Sequence, residues 1–325
     1  MRKVYYNGEF IDEADAKISI YDSSLMFGDM IFEMTRSFNK RQFKLVDHLE
    51  RLYASAKYLH IELESIMTIQ KMEEAIMETI EINDPYFAKD DEHRIMIDVT
   101  RGLLSIYENI GGNHNGINII IADFPLRWTV RGMGKHFDNG INAVIPSQRA
   151  IPAALLDPKV KNRSRVHYMM ANIEISNIPG DNNWALLLDT DNHVAEGTGD
   201  NFFIVKNKKI ITPEPRNILR GISRAYIFDL CNQLGWEWEE RNMDVYDVVN
   251  ADEAFMTGTP FCLMPVTSLN SQKIGDGEVG PAVKTLLKKW GDNLDVDIVN
   301  QIKHWDMQDT EQLGDGPTPY SFKNK

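Results

Sequence analysis

Two periods of apolar and polar positions alternate along this chain. Near its start, Val4-Tyr5-Tyr6 and Glu9-Phe10-Ile11 flank Asn7-Gly8, a dipeptide that accepts the positive φ angles of a tight hairpin. Strand-like runs at 30–38 and 42–46 flank Asn39-Lys40-Arg41 and predict a second hairpin. Residues 46–61 then place Leu49, Leu52, Tyr53, Ala56 and Leu59 on one helix face, with Arg51 on another. A further helix is predicted over 68–80, with Thr68 as its N-cap. Residues 93–100 and 117–124 read as strands. Strands, two helices and strands again make residues 1–124 a small α+β domain.

Residues 125–136 contain Pro125, Arg127, Arg131, Gly132 and Gly134 without a clear period, and read as an interdomain linker. Beyond it come short strands at 141–145, 184–189, 201–205 and 208–211. Helices are predicted at 167–178, 222–234 and 279–290, with a strand at 253–257 before the last. This larger second domain covers 137–325. From residue 291 it turns polar, and Gly314, Gly316, Pro317 and Pro319 mark a loose tail after a short helix. The length, 325 residues, suits two domains of roughly 150 residues each.

Composition narrows the function. The chain is 43% hydrophobic and 10% aromatic, enough to bury a core, which excludes a disordered chain. Forty-eight acids against 35 lysines and arginines leave a net charge of −13. Such a field repels phosphates and argues against nucleic acid or an anionic membrane as partner. Cys231 and Cys262 allow at most one disulfide and no four-thiolate zinc site. The N-terminus lacks the apolar run of a signal peptide, and no stretch reaches the ~20 apolar residues of a membrane span. These features read as a cytoplasmic protein.

Several familiar motifs are absent: G-x-G-x-x-G, the phosphate loop and H-E-x-x-H. The eight histidines have no ligand spacing, so no metal is expected. Ser37-Phe38-Asn39-Lys40 matches the S-x-x-K of some hydrolases, a remote reading for a segment at a hairpin turn. Three turns share glycine and hydroxyl residues: Glu196-Gly197-Thr198-Gly199, Gly221-Ile222-Ser223 and Gly258-Thr259-Pro260. Singly each is an ordinary turn; together they suit a cup for one phosphate, because glycine permits close approach and a helix start offers N–H groups. Lys161 lies in the basic stretch 159–165. By residue type it is either a surface lysine or an amine whose pKa neighbouring arginines lower for Schiff-base chemistry.

The order of these motifs resembles that of the class IV, fold-type-IV pyridoxal-phosphate enzymes: branched-chain and D-amino-acid aminotransferases, (R)-amine transaminases and aminodeoxychorismate lyases. The resemblance runs from Val4 to Trp290. It is carried by Tyr6-Asn7-Gly8-Glu9, by the segment from Phe27-Gly28 to Phe32-Glu33, and by His48 to Lys57, close to H-x-x-R-L-x-x-S-A. Lys161 stands ten residues before Ala171, as in the D-amino-acid branch. Glu196-Gly197 to Asn201-Phe202, Leu219-Arg220-Gly221-Ile222-Ser223-Arg224 and Met256-Thr257-Gly258-Thr259 follow in family order.

The resemblance implies a two-domain fold, a pyridoxal 5'-phosphate cofactor and a homodimer. It implies that Lys161 forms the Schiff base and moves the Cα proton, and that Glu196 pairs with the pyridine nitrogen. Arg51, Ile222, Ser223 and Thr259 would take the phosphate, and Leu219 would pack on the ring. Phe27 and Phe32 would line the substrate pocket, with Pro260 near the substrate carboxylate. The reaction implied is transfer of an amino group between an amino acid or amine and a 2-oxo acid. The lyase of the same fold is the close alternative, and a non-catalytic scaffold is disfavoured by the intact Lys161, Glu196 and Arg51.

The substrate side departs from the family pattern. Val166 stands where branched-chain enzymes have the tyrosine that meets the cofactor hydroxyl, leaving Arg165, His167 or Tyr168 as substitutes. The strand 94–102 lacks their Y-x-R, and no R-x-H pair follows it. The candidates for gripping a substrate carboxylate are Arg36, Arg101, Arg127, Arg131, Arg163 and Arg165. In this fold the 125–136 linker lies over the pocket, so Arg127 or Arg131 is expected to swing in for an oxo acid. The expected acceptor is 2-oxoglutarate or pyruvate, with a donor range unlike that of branched-chain enzymes.

Overall fold

A computed structural model describes residues 1–107, 109 and 116–308. It divides into two compact units. The first joins Met1–Trp128 to Val160–Arg165; the second joins Thr129–Lys159 to the chain from Val166 onward. The division falls inside the segment read as a linker. That segment contains the short helix Arg127–Val130 and buries Leu126, Val130 and Met133. Val160–Arg165, read as part of the second domain, belongs by its contacts to the first. The reason is backbone pairing: Phe32 N donates to Lys161 O at 3.0 Å and Arg163 N to Met30 O at 3.2 Å.

The first unit opens with the hairpin of β1 (Lys3–Tyr6) and β2 (Glu9–Asp12), turning at Asn7 and Gly8 with φ of 50° and 101°. There follow α1 (Ser23–Phe27), β3 (Met30–Met34), β4 (Ser37–Phe38), β5 (Arg41–Gln42), α2 (Leu45–Tyr58), α3 (Leu63–Ile66), α4 (Ile69–Asn83), β6 (His93–Thr100) and β7 (Asn118–Pro125). The strand order β2-β1-β7-β6-β3 makes an antiparallel sheet, and Val160–Arg165 runs along its β3 edge. Leu49, Leu52 and Ala56 of α2 and Met72, Ile76 and Ile80 of α4 cover it, packing on Ile95, Ile97, Val99, Ile119 and Ile121. The run 30–38 is not one strand. Met30–Met34 pairs with β6, while Ser37–Phe38 leaves the sheet to pair with Arg41–Gln42. Arg36 lies at the break, buried, with its guanidinium 3.8 Å from the Phe38 ring centroid.

After α5 (Arg127–Val130), the second unit contains α6 (His136–Asn139), β8 (Ile141–Val144), α7 (Val166–Ser176), β9 (Asn183–Leu188), β10 (Val194–Gly197), β11 (Asn201–Lys206) and β12 (Lys209–Thr212). It continues through α8 (Ile222–Leu234), β13 (Trp238–Glu240), α9 (Val245–Val249), β14 (Glu253–Gly258), β15 (Cys262–Leu269), β16 (Gln272–Lys273), α10 (Pro281–Leu294) and α11 (Ile298–Gln308). The order β10-β9-β8-β15-β14-β11 closes on itself, because β10 pairs with β11 as well as with β9. Closure removes edges that would otherwise invite aggregation. The short helix expected at the start of the tail after 290 is present. Residues 298–308 form α11, which buries Ile298, Ile302 and Trp305. The part of that reading that falls on 309–325 lies outside the described residues.

Candidate active site

In the first unit the chemistry gathers around Glu33 and Phe32, neighbours on β3 that face opposite sides of the strand. Glu33 is fully buried. Its Oε1 accepts from Arg51 Nε at 2.6 Å and its Oε2 from Arg51 Nη2 at 2.9 Å, a bidentate pair. His48 Nδ1 lies 2.8 Å from the same Oε2. His48 and Arg51 reach one carboxylate because they sit three residues apart on α2. Burial by itself would raise the Glu33 carboxyl; Arg51, then His48 and Lys161, outweigh it and hold it well below the usual carboxylate range. His48 is pushed down by burial, with Glu33 pulling the other way.

One turn further along α2, Ser55 Oγ donates to Arg51 O and accepts from Lys161 N at 3.2 Å. Lys161 is thereby tied to β3 and to α2 at once. Its Nζ stands 4.7 Å from the centroid of the Phe32 ring. The same ring meets Arg163 Cζ at 3.7 Å and Arg165 Cζ at 4.9 Å. Lys161 and Arg163 flank Asn162, which bridges to Ile31, and a tight turn in which Arg165 N donates to Arg163 O brings the third cation to the same ring. Phe27, in contrast, is largely exposed on α1. Its carbonyl and that of Gly28 accept from Ser164 Oγ at 3.3 and 3.1 Å.

The second unit carries the remaining candidates. Glu196 on β10 is buried and receives three donors. Tyr168 OH donates to Oε1 at 2.9 Å; Asn201 Nδ2 and Leu219 N donate to Oε2, each at 3.0 Å. Asn201 Nδ2 also donates to Leu219 O at 2.9 Å, so one side chain fixes both Glu196 and the approach to α8. Three donors favour the ionised carboxylate. Beside it, burial and then the Glu196 charge push the Asp200 carboxyl up to about 8. Helix α8 begins with Gly221 as N-cap, without a side-chain cap, followed by Ile222 and the buried Ser223. A Cβ on Gly221 would fall 2.1 Å from Asn201 Oδ1, so only glycine lets this helix start so close to Asn201. Thr259 and Pro260 form the turn between β14 and β15. The Thr257 hydroxyl just before them is buried without a hydrogen bond among the described residues.

Lys161, Arg51, Phe32 and Phe27 thus belong to the first unit, and Glu196, Leu219, Ile222, Ser223, Thr259 and Pro260 to the second. Residue types alone do not single out Glu33, His48 or Asn201 as functional, although H-x-x-R and E-G-x-x-x-N contain two of them. Of the arginine candidates, Arg101 is spent on Asp29 and the carbonyls of Leu59 and His60. Arg127 is held by Asp91 at 2.6 Å and Asp90 at 2.9 Å, which opposes the expected swing. Ser37 is buried with its Oγ on Glu92 and His93 N, and Lys40 pairs with Asp84, so the S-x-x-K residues are each engaged elsewhere.

Known proteins agree on the class of fold and chemistry. The family model for amino-transferase class IV matches residues 30–269, and the chain belongs to that family of pyridoxal-phosphate-dependent aminotransferases. A Methanocaldococcus jannaschii protein, provisionally named a branched-chain-amino-acid aminotransferase, is 36% identical over 89% of this chain and 96% of its own length. The D-alanine aminotransferase of Bacillus licheniformis is 28% identical over 87% of this chain and 94% of its own. Among solved structures, a T.th. branched-chain amino acid aminotransferase with pyridoxamine 5'-phosphate superposes with a TM-score of 0.79 at 26% identity, covering 94% of this chain and 97% of that one. The fold is therefore the two-domain fold-type-IV arrangement, and the protein is a transaminase. Among the described residues no helix is long and apolar enough to cross a membrane.

Proposed function

We propose that this enzyme moves an amino group from an amino acid to a 2-oxo acid in two half-reactions, with Lys161 as the reacting amine. The carrying observation is the buried Glu196, held as a carboxylate by Tyr168, Asn201 and Leu219 N. A fixed anion of this kind suits a protonated pyridine nitrogen. The rest of the donor set suits the cofactor as well. Arg51 is a cation clamped in one orientation, α8 opens with N–H groups and the Ser223 hydroxyl, and Thr257 brings a buried hydroxyl that bonds to nothing else among the described residues. Pyridoxal phosphate supplies the electron sink for charge developing at the substrate Cα.

The chain's own residues do the rest. By the family resemblance Arg51, Ile222, Ser223 and Thr259 would hold the phosphate and Leu219 would pack on the ring face; Glu33, bonded to Arg51 and His48, keeps Arg51 from straying. Lys161 Nζ takes the Cα proton and returns it to the neighbouring atom. Phe32 and Phe27 bound the substrate, with the Thr259–Pro260 turn toward its carboxylate. Borohydride reduction of the holoenzyme followed by peptide mapping tests the assignment: the adduct is expected on Lys161, and an adduct on another lysine overturns it. A spectrophotometric panel of L-amino acids, D-amino acids and (R)-amines then identifies the donor.

The working unit is read as a homodimer. The exposed apolar side chains Leu25, Met26 and Phe27 of α1 and Ile106 support it. A monomeric mass with full activity in analytical ultracentrifugation contradicts it. Both cysteines stand as buried thiols, which suits the reducing cytoplasm.

A further inference from the structure

We propose that Arg163, anchored by Asp98 across the Phe32 ring, forms with Arg165 the element that reads a carboxylate on the substrate. This rests on the reading of Lys161 as the reacting amine and extends it to the substrate's chemical class.

Strand register supplies the first support. Phe32 on β3 lies directly opposite Asp98 on β6, so ring and carboxylate share one face of the sheet. Arg163 comes from the other side of β3 and spans the ring to reach Asp98 Oδ1, with Nη2 at 3.0 Å and Nε at 3.3 Å. Nη2 also lies 3.2 Å from Met96 Sδ. Two groups of β6 and one aromatic of β3 therefore fix the guanidinium plane. Its Nη1 makes no hydrogen bond among the described residues, and a third of the side chain is open to solvent. The strand that lacks the Y-x-R of branched-chain enzymes provides an anchoring acid instead, and the arginine arrives from the lysine segment.

Charge supplies the second support. Arg165 and Lys161 approach the same ring, so three cations stand around one buried aromatic. Such a cluster attracts an anion, and an anion beside Phe32 is costly unless a cation meets it. A carboxylate satisfies both. A guanidinium fixed through Nε and Nη2 leaves Nη1 in a set orientation to donate to an acceptor. Arg163 and Arg165 lie two and four residues beyond the reacting amine and approach the same ring. The carboxylate is either the one next to the reacting carbon or a second one at the far end of a dicarboxylic substrate.

The test uses holoenzyme, wild type and the variants Arg163→Gln and Arg165→Gln, each checked for cofactor absorbance and melting midpoint. Calorimetry measures the affinity of glutarate and butanoate, and steady-state assays compare KM for 2-oxoglutarate and pyruvate. Loss of one charge-assisted contact is expected to weaken carboxylate binding about tenfold, with KM rising in step and kcat falling less. A rise confined to glutarate and 2-oxoglutarate assigns the distal carboxylate; a rise shared with butanoate and pyruvate assigns the common one. Unchanged affinity for both anions in Arg165→Gln and in Arg163→Gln overturns the proposal. If removing the Arg163–Asp98 bridge unfolds the enzyme, Arg165→Gln alone decides by the same readout. Wild type that binds carboxylates but transaminates nothing overturns the functional reading and leaves this one standing.

Discussion

Glu196 shows how one side chain can have two kinds of neighbour. Tyr168, Asn201 and Leu219 N fix its position, and in the proposed function its charge would meet the cofactor's pyridine nitrogen. Glu196→Gln keeps the shape and removes the charge. Turnover is expected to fall by about 100-fold or more, on the scale of other fixed electrostatic groups. Cofactor absorbance should stay nearly constant, because the phosphate groups are untouched. A variant that loses cofactor and recovers full rate when it is resupplied makes Glu196 structural. Gly221 is the second sensitive point. Its φ of −66° suits any residue, so Gly221→Ala tests contact alone. The added Cβ meets Asn201 Oδ1, and the cost is expected to be about 1–3 kcal/mol in denaturant unfolding, together with lost activity as Asn201 leaves Glu196.

Among elements, periodicity is a good guide where one face is wet. Helices α2 and α4 appear nearly where the three-and-four spacing puts them, and Thr68 Oγ1 accepts from Lys71 N at the start of α4. Elements buried on both faces escape it. β15, from Cys262 to Leu269, lies between β8 and β14, shows no alternation and carries Pro265 in its middle, so its sequence does not look like a strand. β10 reads as a turn because Glu196-Gly197 has the composition of one. Helix α11 is expected from the sequence only as a short helix without bounds, since Ile298, Ile302 and Trp305 are few among polar neighbours. At the site, motif order points to Lys161, Arg51 and Glu196, but the pairing of Glu33 with Arg51 depends on how β3 meets α2, which no local pattern encodes. Helix α11 also binds the chain near 132–134: Asp306 accepts from Gly132 N and Gly134 N, each at 2.7 Å. Trp305→Ala is therefore expected to cost about 3–5 kcal/mol, the scale for a buried large aromatic, measured as a lower unfolding midpoint.

For the whole molecule, acidity makes pH a lever, and three buried histidines pull in different directions. His93 sits between Asp123 and Asp84, each 2.9 Å from a ring nitrogen. Burial would lower its pKa, but the two carboxylates outweigh burial and raise it. A raised value means that the folded state holds the proton more tightly than the unfolded one. The resulting stability is full below about 6.5, the unfolded value, and is lost as pH rises through the folded one. His48 and His136 are lowered by burial, the latter to about 4, and contribute the opposite slope as pH falls through about 6.5. The measurable quantity is thus a difference. Thermal unfolding of wild type and His93→Gln between about pH 6 and 8.5 should show the variant losing less stability as pH rises; parallel curves would refute the assignment to His93.

The lysine segment has a consequence for heredity. The polypeptide crosses from one unit to the other at 128, returns for six residues at 160–165, and leaves again. Phe32 and Asp98 are therefore encoded far from the arginines they hold. A recombination event that exchanged the first 128 codons with those of a relative would import a new ring and a new acid but keep the old lysine and arginines. On the proposed carboxylate reading, only an exchange that runs past codon 165 carries ring, acid, lysine and arginines together; a shorter one separates them and calls for paired substitutions in two distant stretches of the gene.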